Sequence, residues 1–161
     1  LMWYAYPKQK NLYYLGGAIF HLNRGEQSHF AEKYGFSGQH ELLYRRYVVH
    51  GGSQILMGDN WAVQPSFFIQ FKGPAREISM GSFVKYVFGN SFEKDDQTAI
   101  YLGGFYRNVD AVMLAFRYDI KRTYFTFSYD VNISKLTEAS LSRGGLEISV
   151  AHHIFLSLIH I

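Results

Sequence analysis

No cysteine occurs in these 161 residues. That excludes a disulfide framework, a thiolate metal site and a cysteine nucleophile. Proline is also scarce, at 3, so little breaks the chain. Charged residues make up 18 %, below the roughly 25 % of an ordinary soluble domain. The net charge of +3 is mild, and its basic residues are scattered. A nucleic-acid partner wants a concentrated basic patch, so that class is set aside. No apolar run approaches the ~18 residues of a membrane helix. That excludes a helical span and leaves open a closed barrel of strands.

What is abundant is aromatic: 13 Tyr and 14 Phe, residues that favour strands and membrane interfaces. Alternation is the dominant pattern. In "RTYFTFSYDVN" (122–132), Phe125, Phe127, Tyr129 and Val131 share one parity. Tyr124, Thr126, Ser128, Asp130 and Asn132 share the other. Side chains on a strand point to opposite faces with period 2, so this segment has one oily face and one wet face. "VQPSFFIQFK", "REISMGSFVKYVF", "AVMLAFRYD" and "GLEISV" alternate in the same way.

Nine strands are predicted, near 1–5, 12–22, 43–57, 61–72, 76–88, 98–107, 110–119, 122–132 and 145–155. Short turn-rich stretches at 58–60, 72–75, 89–97, 107–110 and 119–122 separate them, and such links join antiparallel neighbours. Two connections are longer, 23–42 and 133–144, and a short helical turn fits inside 27–34. The reading is one up-and-down antiparallel domain over 1–155, with 156–161 as an atypical apolar tail. "LMWYAYP" at the start reads as the end of a strand, so earlier strands and a secretory leader are expected upstream.

Many of these strands run about 10 residues, matching the ~9–11 that a tilted membrane strand needs. Aromatic residues gather near strand ends at Trp3, Tyr4, Trp61, Tyr86, Phe88, Tyr101 and Tyr118, as in the girdles of membrane barrels. Alternation alone does not separate a membrane barrel from a soluble, lipocalin-like barrel with an apolar ligand inside, because exchanging the faces leaves the pattern unchanged. A passive pore shares the membrane fold.

The search for chemistry returns little. The seven His (21, 29, 40, 50, 152, 153 and 160) have no metal-ligand spacing. His152 and His153 are adjacent and fall on opposite faces. No glycine pair is followed by the Lys-Ser or Lys-Thr of a phosphate loop, and no G-x-S-x-G occurs. Glu77, Asp119, Asp130 and Glu147 lie on wet faces. They are expected to pair across neighbouring strands with Lys85, Arg117 or Arg46. No catalytic constellation, cofactor site or metal site is predicted.

Five stretches, read in order, carry a resemblance. They are "YYLGGAIFHLNRGEQSHF" (13–30), "RRYVVHGG" (45–52), "QPSFFIQFKGPAREISMG" (64–81), "LGGFYRNVDAVM" (102–113) and the pair "FSYDVNISKL" and "GGLEIS" (127–136 and 144–149). Across about residues 10–153 the chain resembles the C-terminal half of the PorP/SprF family, outer-membrane proteins of the type IX secretion and gliding machinery of Bacteroidetes-type bacteria. The resemblance implies part of a larger transmembrane β-barrel in the cell outer membrane, with no enzymatic activity and no cofactor. It implies partners among periplasmic and outer-membrane secretion proteins, membrane lipid, and cargo with C-terminal sorting domains. The matching positions are Phe20, His21, Asn23, Arg45, Arg46, His50, Gly51, Gly52, Gly73, Pro74, Glu77, Arg107, Asp110, Asp130, Ser134, Lys135 and Glu147, to none of which the resemblance attaches a catalytic role.

With the last strand ending in the periplasm, 23–42, 72–75, 107–110 and 133–144 face outside. The turns 6–11, 58–60, 89–97 and 119–122 then face the periplasm, and "EKDD" (93–96) becomes a candidate electrostatic contact there.

Overall fold

The computed structural model describes residues 1–7, 11–25, 43–89, 98–108, 110–133 and 144–154. Nine strands build one sheet: β1 (Met2–Ala5), β2 (Leu12–Phe20), β3 (Arg46–Met57), β4 (Trp61–Lys72), β5 (Ala75–Phe88), β6 (Thr98–Arg107), β7 (Ala111–Ile120), β8 (Thr123–Asn132) and β9 (Gly145–His152). Their order in the sheet is their order in the chain, and every neighbouring pair is antiparallel. This is the predicted meander, and it fits part of a barrel. Among the described residues the sheet does not close, and β1 and β9 form its edges.

Strand boundaries depart from the prediction by a few residues, with local causes. β2 stops at Phe20 because the next residue, His21, takes φ 57° and turns the chain. The β4–β5 hairpin pairs Lys72 with Ala75 across two residues, and Gly73 sits there at φ 56°. A positive φ at the first central position is what a tight hairpin of matching twist demands, and Pro74 then fixes the second. At the other end of β4, Asn60 clamps the sheet. Its side-chain amide donates to the carbonyls of Val87 and Gly89 at 2.8 and 2.6 Å, while its own carbonyl accepts from the Val87 amide at 2.8 Å. The expected helical turn in 27–34, the "EKDD" segment and the tail 156–161 lie outside the described residues.

The register sorts the side chains into two faces. One residue from each of seven strands, Ile55, Val63, Val84, Leu102, Phe116, Phe127 and Ile148, lies in a single row across the sheet. Among the described strand positions of that apolar face, Arg76 is the only Arg, Lys, Asp or Glu. The opposite face carries Arg46, Lys72, Glu77, Lys85, Arg107, Arg117, Asp119, Asp130 and Glu147.

Burial follows the reverse of a soluble protein's rule. On the apolar parity Leu102 is 67 % exposed and Leu114 59 %. On the polar parity of the same two strands Tyr101 is 7 % exposed and Asp119 5 %. A single sheet produces that asymmetry when it curls toward its polar face, crowding side chains there and spreading them on the other. The small buried core, Val87, Ala99 and Tyr101 with Phe83 against it, accordingly belongs to the polar face.

Candidate functional site

The polar face is crowded because small residues alternate with rings. Gly16 pairs with His50, Gly52 with Tyr14, Gly81 with Phe105 and Gly103 with Phe83, each directly across neighbouring strands. In every case the ring lies where a glycine Cβ would be. A Cβ on Gly52 would fall 2.6 Å from the Tyr14 hydroxyl oxygen, and one on Gly103 would fall 2.6 Å from Cε1 of Phe83. Rings folded over cross-strand glycines shield an otherwise bare backbone and fix the register. Phe83 is further held edge-on against Phe105 and Tyr101, at centroid separations of 5.0 and 6.2 Å. From sequence, Gly51 and Gly52 are family-matching positions, and a strand glycine pair marks a bend, a bulge or a close backbone approach. Their partners become visible only once the register is known.

Two charge clusters sit on this face. In the first, the Arg117 guanidinium donates to both carboxylate oxygens of Asp119, Nε to Oδ1 at 2.6 Å and Nη2 to Oδ2 at 2.9 Å. The same guanidinium lies over the rings of Tyr124 and Tyr101, 4.4 and 4.9 Å from their centroids. The Lys85 ammonium lies 5.3 Å from the Tyr101 centroid. Planar bidentate pairing plus stacking on aromatic faces is the geometry that suits arginine and not lysine. A cleft of about 300 Å³ adjoins it, lined in part by Tyr14, Gln54, Gln64 and Arg117. The Gln64 amide donates to the Gln54 side-chain oxygen at 2.7 Å.

The second cluster is at the end of the sheet where β6 turns into β7. Arg107 Nε lies 2.8 Å from Asp110 Oδ2, and its Nη2 donates to Asp130 Oδ2 at 3.2 Å. Arg107 is on β6 and Asp130 on β8, so the contact crosses β7, where the residue opposite Arg107 is Ala111. A large side chain at 111 would block it. Beside this cluster Glu77 accepts from the Gln70 side-chain amide at 3.3 Å.

These contacts keep one pairing expected from sequence and correct the others. Asp119 does pair with Arg117, but within its own strand rather than across neighbouring ones. Asp130 pairs with Arg107 rather than with Lys85, Arg117 or Arg46, and the described partner of Glu77 is a glutamine. Parity also corrects the aromatic girdle. Tyr4 and Tyr101 belong to the polar face, as their pairing with Tyr14 and Lys85 requires. Trp61, Tyr86 and Phe88 do cluster on the apolar face, with centroids 4.7 and 5.1 Å apart.

The structure gathers some of the family-matching positions and separates others. Arg107, Asp110 and Asp130 form one cluster. Phe20 and Arg46 meet directly, the guanidinium 4.6 Å over the ring. Arg45 donates to the Leu22 carbonyl at 3.3 Å, so it closes the same rim as His21 and Asn23. Gly73 and Pro74 form the β4–β5 turn, and the Tyr44 ring covers Gly73. His50 covers Gly16 one strand away from Phe67, which covers Gly51. Glu147 stands on edge strand β9 opposite Ser128. Ser134 and Lys135 lie outside the described residues. His152 shares a hydrogen bond with Thr123 at 3.0 Å, and His153 packs edge-on against Tyr124 at 4.8 Å. Among the described residues no group of three or more His, Asp or Glu is arranged to hold a metal ion, and no helix is long and apolar enough to cross a membrane.

The chain matches a known protein family. The family model described as "Type IX secretion system membrane protein PorP/SprF" aligns with residues 2–152. No curated protein and no solved structure matches the chain.

Proposed function

This chain belongs to the PorP/SprF family of type IX secretion system membrane proteins, and from that premise we propose that its sheet is part of an outer-membrane barrel with a scaffolding role. In that role it anchors secretion components at the membrane. It supports export or surface attachment of cargo proteins that carry C-terminal sorting domains, and it performs no catalysis of its own.

One observation carries the membrane part of this reading. Leu102, Leu114, Phe116 and Phe127, mid-strand on the apolar face, are each more than two-fifths exposed, while the polar face beneath them is packed. A water-soluble barrel would cover that oily row and expose the polar one. Contiguous apolar surface of this extent needs a non-aqueous neighbour. Its height also fits. From Trp61 to Phe71 the apolar face of β4 advances ten residues at about 3.3 Å each. On strands tilted by about 40° that is a band of roughly 25 Å, the thickness expected for an outer-membrane barrel. With β9 ending in the periplasm, the β4–β5 turn at Gly73–Pro74 faces outside and the turn at Gly58–Asn60 faces the periplasm.

The cysteine-free sequence makes the test direct. A single cysteine placed by Pro74→Cys should react with a membrane-impermeant maleimide on intact cells. One placed by Asp59→Cys should react only after the outer membrane is opened. The reverse pattern overturns the orientation, and recovery of the untreated protein as a soluble species without detergent overturns the barrel. Deletion of the gene should stop cargo from reaching the cell surface, and unchanged surface cargo overturns the scaffolding role.

A further inference from the structure

Strand β4 breaks a rule that central strands keep. Pro65 stands in its interior, with β3 on one side and β5 on the other, where a residue without an N–H costs the sheet a hydrogen bond. The β3–β4 register shows the break. It runs without interruption from Arg46–Lys72 to Gly52–Ser66, lapses, and resumes at Ile55–Val63. Ser53 and Gln54 face Gln64 and Pro65 across the lapse, two residues against two, so no bulge accounts for it. The Pro65 carbonyl oxygen lies 2.8 Å from where a Cβ on Gly52 would be, so it points at β3. In an antiparallel ladder the nitrogen of a residue points to the same neighbour as its carbonyl. The Ser53 carbonyl is therefore the acceptor that loses its ladder donor at Pro65. A broken local rule in an otherwise consistent sheet marks a functional or strained place.

The gap adjoins the cleft of about 300 Å³ on the polar face, whose lining includes Ser53, Gln54, Gln64 and Pro65. By parity the Ser53 and Pro65 side chains belong to the apolar face, so the cleft meets these two residues at their backbone. The Gln64 amide donates to the Gln54 oxygen, which leaves the Gln54 N–H pair and the Gln64 oxygen to meet a ligand. Tyr14 and Phe83 supply rings to the walls. Among the described lining residues Arg117 is the only charged one, and it is held by both oxygens of Asp119. A second cleft, of about 470 Å³, shares Tyr14 and Ser66 and adds His50, Phe68 and Phe105. Both volumes lie within the range of small-molecule sites. A ligand suited to this lining brings a donor for the open carbonyl and groups that both give and accept hydrogen bonds for the two amides. It also brings C–H faces for the negatively polarised ring faces, and no net charge. Hydroxylated rings have all of these properties. We infer that the paired clefts are a binding site for a neutral oligosaccharide, with one sugar ring over the Ser53–Pro65 gap and the next beside His50 and Phe68. The site goes beyond the scaffolding role, and it rests on the barrel reading only in placing the polar face inside.

The test uses the purified full chain in dodecyldimethylamine oxide, a detergent without a sugar headgroup. Maltotriose, cellotriose and triacetylchitotriose are the probes, read by saturation-transfer NMR and titration calorimetry. At least one should bind, with its ring C–H protons receiving the strongest transfer, and a trimer of galacturonic acid should bind more weakly. Pro65→Val restores the missing N–H while its side chain stays on the apolar face. It should weaken binding about three- to tenfold, the loss of one neutral hydrogen bond, with a denaturation midpoint at or above that of the wild type. A purely structural role for Pro65 would move stability and leave affinity alone. Gln64→Leu should weaken binding at least as much, and Ser128→Ala, on the polar face outside the cleft, should leave it unchanged. Each variant is first checked for the gel shift on boiling that marks an intact barrel. An intact wild-type barrel that binds none of the neutral probes overturns the inference alone. So does undiminished binding by Pro65→Val, or a preference for the acidic trimer. A protein that binds the sugar but proves soluble without detergent overturns the barrel reading alone.

Discussion

Gly103 of β6 lies directly opposite Phe83 of β5, and the phenyl ring occupies the space that a side chain on Gly103 would need. The next residue, Gly104, belongs to the same dipeptide and faces the other way, with nothing within 4 Å of its missing Cβ. Two adjacent glycines therefore have different physical duties. One admits a ring and the other is open surface.

Gly103→Ala should destabilise the protein by about 1–3 kcal/mol, the usual cost of overpacking. Phe83 cannot swing clear, because Phe105 and Tyr101 hold it edge-on. Gly104→Ala should cost far less. Denaturant unfolding in lipid vesicles, followed by tryptophan fluorescence, compares the two. Equal costs would mean that the ring does not lie over residue 103.

A cation in the middle of the apolar row tests its solvent. Leu102 is central in β6 and 67 % exposed. Leu102→Arg should cost roughly 2–4 kcal/mol if that face meets hydrocarbon. Ser128→Arg, mid-strand on the polar face of β8, should cost much less. If that exposed face met water instead, Leu102→Arg would be tolerated, so folding yield in vesicles separates the two solvents.

Removing one partner of the Arg117–Asp119 pair should hurt more than removing both. The Asp119 side chain is 8 % exposed and that of Arg117 35 %. Asp119→Ala strands a guanidinium between Tyr101 and Tyr124. The loss should be about 2–3 kcal/mol, somewhat below that of a fully buried pair because Arg117 keeps some solvent. The double variant Arg117→Met, Asp119→Leu should lose less than this single change. A double-variant cycle by denaturant unfolding measures the difference.

Lys121 occupies the β7–β8 turn at φ 54°, a left-handed conformation that a lysine adopts only at a cost. Lys121→Asn and Lys121→Gly should each stabilise by about 0.5–1 kcal/mol, because these residues accept a positive φ readily. A rise in the denaturation midpoint is the expected readout, and a fall would show that the lysine side chain has a compensating contact.

Period-2 patterning carried most of the architecture. "FSYDVN" announces a strand with two unlike faces whatever surrounds it, since backbone pleat alone assigns alternate residues to opposite sides. Short turns then leave antiparallel neighbours as the economical topology, and the described strands follow it from Met2 to His152. The same pattern put every charged strand residue except Arg76 on one face. What local pattern could not reach was anything that depends on which residue stands beside which. Gly52 meets Tyr14, and Arg107 reaches over β7 to Asp130, only because particular registers hold. Tyr101, read as a girdle residue from its position near a strand end, turned out to lie on the polar face under Lys85 and Arg117.

The sequence by itself determined that strands form, how many the described residues hold and which side chains share a face, because these follow from backbone geometry and hydrophobic alternation. Only the tertiary structure decided the sign of the two faces. Alternation is symmetric under their exchange. The curl of the sheet breaks that symmetry by packing Asp119 and Tyr101 together while leaving Leu102 and Phe116 uncovered.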